Sequence, residues 1–159
     1  MDERERLIDL MRRVHDGDAW HGPSVRDAIA GVDSRTARSR PTGAAHSIWD
    51  IALHIDAWRR EVCARLKGKR PSMPHPADWP AAPEDDAQWA RIGETLDTSH
   101  HALLDAVRAM SPESLDALVA GPREPGLGTG VTFYTMVHGV VHHDAYHAGQ
   151  IALLKRLHG

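Results

Sequence analysis

Val141-His142-His143-Asp144-Ala145-Tyr146-His147-Ala148-Gly149-Gln150-Ile151 sets two histidines four residues apart in a run free of proline. In a helix, positions i and i+4 lie one above the other on the same face, so His143 and His147 can close on a common ligand. The helical pattern extends outward from this run, from Val131 or Thr132 to Leu157, and brings in a second pair, His138 and His142. At ~100° per residue the two pairs point roughly 140° apart. Phe133, Met136, Val140, Ile151 and Leu154 cluster around the direction of His143 and His147. His138 and His142 share their arc with Arg156 and fewer apolar residues. The 143/147 pair is therefore predicted to face a core, and the 138/142 pair to lie near solvent or a helix edge.

Further out, a second long helix is predicted from about Ser47 to Leu66, ended by Gly68 with Lys67 and Lys69 at its C-terminal pole. Ile48, Ile51, Ile55, Trp58 and Val62 form its apolar stripe, and His54 is the only histidine inside it. A first helix is expected over Asp2 to His15, followed either by a short one, capped by Ser24, over Val25 to Gly31 or by the first helix resuming there after a kink. A third long helix is expected from about Glu84 to Met110, and a short turn after Ser111-Pro112, ending near Leu118. Pro71, Pro74, Pro76, Pro80 and Pro83 rule out a helix over residues 70 to 83. That stretch reads as a crossover loop packed in part by Met73 and Trp79, and Gly121 to Gly130 as another loop. Nothing reads as a strand or a repeat. The expectation is an all-α fold, a four-helix bundle with long loops, as a single domain over residues 1–159.

The bulk numbers narrow the function classes. Nineteen basic and 22 acidic side chains give a net charge of −3, with no electrostatic footprint for nucleic acid or anionic lipid. No apolar run reaches the roughly 18 residues that span a bilayer. The mixed-charge start, Met1-Asp2-Glu3-Arg4-Glu5-Arg6, lacks signal-peptide character, and Cys63 is the only cysteine. These point to the cytoplasm.

Spacing alone carries the metal argument only part of the way. A lone inward histidine such as His54 is more often a hydrogen-bonded core residue than a ligand. A buried i, i+4 pair is harder to explain without a shared task. Joined with His54, the pair would make the three-histidine pattern of an open, zinc-type catalytic site.

The run quoted above also resembles the last-helix motif of the DinB-like (YfiT-like) superfamily, His-x-x-x-His-x-Gly-Gln, and Ser47 to Trp58 resembles its second-helix motif. Trp20-His21, Arg40-Pro41 and the order of helices fit the same pattern. The resemblance implies a bundle that holds one divalent ion, zinc or nickel, on His54, His143 and His147, the set the periodicity favours. It also implies a homodimer and, in some relatives, transfer of a low-molecular-weight thiol. It implies no polymerase activity.

Around the three histidines, Gln150 lies one turn beyond His147 and is a candidate to bond a ligand or a bound water. Asp50 and Glu61 are candidates to orient an imidazole or act as general base; a solvated carboxylate is the alternative for each. Trp58 is expected in the core rather than as a cavity wall, Tyr146 in helix packing, and Gly149 at a close helix approach. Cys63 points roughly 180° from His54 and is a poor ligand. The leading function is a metal-dependent thiol S-transferase or hydrolase acting on a small electrophilic molecule. The alternatives are a non-catalytic metal-binding stress protein and a plain helical interaction module. The module leaves the inward pair without a purpose.

Overall fold

A computed structural model describes residues 1–41, 43–69, 78–119 and 130–158. Met73 and most of the 121–130 loop lie outside these residues. The described chain is all-helical: α1 (Glu3–His15), α2 (Val25–Ile29), α3 (Ser34–Arg38), α4 (Ile48–Leu66), α5 (Asp86–Ala90), α6 (Ile92–Arg108), a 3-10 turn (Pro112–Asp116) and α7 (Phe133–His158). Helices α1, α4, α6 and α7 form the bundle, and α2 and α3 pack at one end of it against α7 and α4.

Local chemistry sets the helix ends. Asp2 and Ser47 cap α1 and α4, each paired with an acid three residues on, Glu5 and Asp50, in a capping box. Just beyond the C-cap Lys67, Gly68 takes φ +91°, a left-handed conformation that only glycine adopts without strain. Two departures from the sequence reading stand out. The helix expected from Glu84 to Met110 is broken at Arg91 into α5 and α6. The break lets Trp89 turn inward and donate its indole N–H to the Val32 carbonyl at 2.7 Å, while Ile92 and Leu96 begin a new buried stripe. Helix α3 is unanticipated; Asp33 caps it by accepting the Thr36 N–H at 2.7 Å.

The core has two apolar halves. One joins Leu7, Met11, Leu103, Val107 and Val137; the other joins Val25, Ile48, Trp49, Ile55, Leu96 and Ile151. On α4, α6 and α7 a stretch of buried polar residues separates them: Arg59 on α4, Ser99 and His100 on α6, Asp144 and His147 on α7. Fully buried Arg59 donates to Asp144 at 2.8 Å and to the Leu96 carbonyl at 3.0 Å, tying three helices together. The bundle thus has a polar belt across its waist, and His54 on α4 and His143 on α7 lie within a turn or two of it.

Candidate metal centre

Helix α4 delivers His54 and α7 delivers His143 and His147 to one point. One ring nitrogen from each lies within 4.8 Å of the other two, and His54 Nε2 is 3.0 Å from His143 Nε2. Two nitrogens bound to one ion at about 2.1 Å each sit about 3 Å apart, so this spacing suits a shared cation. His54 and His147 are buried and His143 is half-buried.

The outer nitrogens fix which way the rings are protonated. His54 Nδ1 lies 2.5 Å from the Asp78 carbonyl oxygen, an acceptor only, so that nitrogen carries the hydrogen. His147 Nδ1 donates to Gln150 Oε1 at 2.7 Å. Both rings therefore turn a bare Nε2 lone pair inward. His143 Nδ1 is buried without a hydrogen bond and lies 3.8 Å from Asp144 Oδ1, which is also unsatisfied. If the His143 hydrogen is on Nδ1, facing that carboxylate, a third lone pair joins the other two. Three converging lone pairs repel one another unless a cation lies among them, and in that tautomer the donor set fits a metal ion.

Burial, reinforced by the neighbouring His143, holds the His147 imidazole down at about 4, and burial likewise lowers His54. Both rings are thus neutral at pH 7, the protonation state in which a histidine can bind metal. Trp79 covers the site. Its ring stacks on His54 at 3.8 Å, stacks on His46 at 3.5 Å and meets His147 edge-on. Trp58 is not a core residue as expected: it is half-buried and donates its indole N–H to Asp78 Oδ1 at 2.7 Å.

The other candidates fall elsewhere. Asp50 is buried at the start of α4, where it accepts the Ser47 N–H at 2.9 Å and Arg40 Nη2 at 2.7 Å. Burial alone would raise its carboxyl, but these bonds outweigh it and hold the group below the usual carboxylate range. Glu61 is ion-paired with Arg65 at 2.9 Å and Lys69 at 2.7 Å. Among the described residues neither carboxylate bonds an imidazole; both serve the ends of α4. Tyr146 is exposed rather than packed, and Gly149 has open space where a close helix approach was expected. Cys63 is buried, directs its thiol toward the Ala102 carbonyl and takes no part. Sequence reasoning missed Asp78 and the role of Trp79, which hold and cover His54 from a proline-rich loop with no periodicity to read.

The family model of the DinB superfamily matches residues 20–151. The chain belongs to the DinB superfamily. No curated protein matches this DinB-superfamily chain closely enough to lend it an activity. The matched span includes all three histidines, Gln150, Asp78 and Trp79. No helix among the described residues is long and apolar enough to cross a membrane.

Proposed function

We propose that this protein binds one divalent ion, zinc or nickel, on His54, His143 and His147, and uses it as a transferase or hydrolase on small electrophilic molecules. The observation that carries the reading is the number of ligands. Among the described residues, no fourth histidine, cysteine, aspartate or glutamate joins the three. A structural zinc site is normally closed by four protein ligands, whereas three leave a position for a reactant. Neutral imidazoles suit zinc and nickel and leave the ion its full charge. When bound, such an ion lowers the pKa of a water or low-molecular-weight thiol and polarises the acceptor.

The chain's own groups do the positioning. Asp78 and Gln150 hold two rings in register, and Trp79 shields them from water. Gln150 is a positioning residue in this reading, and Asp50 and Glu61 have no step. The setting we propose is a cytoplasmic homodimer. Tyr146, Leu153 and Leu157 support the dimer: they are 64%, 60% and 62% exposed at near-heptad spacing on α7, beside the bare Gly149.

The test is turnover by zinc- or nickel-loaded protein with a low-molecular-weight thiol plus epoxide or halogenated acceptors, and separately with hydrolysable esters and amides. The expected result is metal-dependent turnover in one set, abolished by His143→Ala. Stoichiometric metal with no turnover in either set would favour a non-catalytic metal-binding stress protein.

A further inference from the structure

A groove of about 340 Å³ runs between α4 and α7, with His143 in its wall. Trp58, Val62, Met136 and Val140 make its lining largely apolar, and Gly139 opens it on the α7 side. Trp58 and His143 approach at 5.8 Å between ring centres, which places the histidine end of the groove. The lining on α4 then continues from Trp58 through Val62 to Arg65, seven residues or about 10 Å along the helix. Arg65 reaches back along the helix: its guanidinium carbon lies 5.8 Å over the Trp58 ring, and it is ion-paired with Glu61 at 2.9 Å.

An apolar groove whose wall includes one of the three candidate metal ligands is how a site sorts molecules by their non-reacting part. We infer that this groove binds the apolar body of the substrate and sets its class. That class is small, uncharged molecules with a short alkyl or aryl chain and one polar, electrophilic group presented at His143. The inference rests on the metal reading proposed above. Its size falls within the range of small-molecule sites. Apolar surface buried in it contributes affinity in proportion to chain length.

Gly139 is the specificity-determining position. A Cβ built there meets no atom within 4 Å, so a larger side chain enters the groove without displacing protein. Glycine in mid-helix is unfavourable by about 1 kcal/mol relative to alanine, so replacing it does not threaten the fold. No metal ligand is touched.

The experiment titrates zinc-loaded protein with straight-chain alkyl hydroxamates of two to eight carbons, which bind zinc through the head group. Affinity is expected to rise up to about fourfold per added methylene until the groove is full. Gly139→Leu should bind acetohydroxamate as the wild type does but show a flat response to chain length, and Gly139→Ala should keep most of the slope. Affinity independent of chain length in the wild type, or a slope that survives Gly139→Leu, overturns the inference. Failure of even acetohydroxamate to bind the zinc-treated wild type identifies the metal reading as the part that is wrong, and the inference falls with it.

Discussion

Two groups of buried histidines lie near the waist of this bundle, and only one of them has an arginine among its main charged neighbours. His15 and His100 stack at 4.0 Å between α1 and α6, with His15 Nε2 2.9 Å from Asp97. After burial itself, Arg59 lowers His15 while Asp97 raises it, and His15 and Arg59 lower His100, so the protein supplies its own cation there. Around His54 and His147 the main charged neighbours are other histidines and the carboxylates Asp78 and Asp144. Arg59 is a positive charge built into the fold. At the triad that place is left for an ion. The contrast teaches that histidine abundance does not mark a metal site; convergent lone pairs without a resident cation do.

The largest expected effect concerns that resident cation. Arg59→Met leaves the Asp144 carboxylate buried and unpaired and should lower unfolding free energy by about 3–5 kcal/mol. Urea denaturation of metal-free protein checks this, and a loss under 1 kcal/mol would mean the polar belt is not what ties the helices together.

Acid should act next on the stacked pair, and on His147 with it. His15 and His100 are lowered to about 4 and about 2, by burial first. The unfolded chain takes up their protons below about 6.5, while the native state does not until those lower values. Stability is therefore full above pH 6.5 and falls as pH drops toward 4, by about 3 kcal/mol from His15 alone. A flat profile of denaturant midpoints for metal-free protein across that window would mean that these buried rings are charged in the native state.

A smaller effect sharpens the triad side. Gln150→Ala removes the acceptor for His147 Nδ1 and should weaken zinc binding about 10- to 100-fold in chelator competition. The metal-free protein should unfold within about 0.5 kcal/mol of wild type, as expected for a half-buried position at the edge of α7. Unchanged zinc affinity would show that Gln150 does not hold the ring.

The triad was legible because α4 and α7 are long and strongly periodic, so helical phase alone put His143 and His147 inside and left His142 exposed. Ser24 was legible as a cap because capping is local chemistry. The kink at Arg91 was not, since it depends on where Trp89 finds the Val32 carbonyl across the fold. Asp50 was misjudged for a related reason. A carboxylate near a histidine in sequence looks like a partner, but the N-terminus of α4 and Arg40 claim it first. Arg59 and Asp144, 85 positions apart, meet only once the two helices are packed, so their pairing leaves no local signal.

Metal content of purified, untagged protein tests the central claim most directly. After exposure to zinc or nickel and removal of excess, the account predicts about one equivalent per chain. That equivalent should be lost on His54→Ala, His143→Ala or His147→Ala and retained on His100→Phe. Wild-type protein that is folded yet holds no ion, or a His143→Ala variant that keeps its full equivalent, would contradict it.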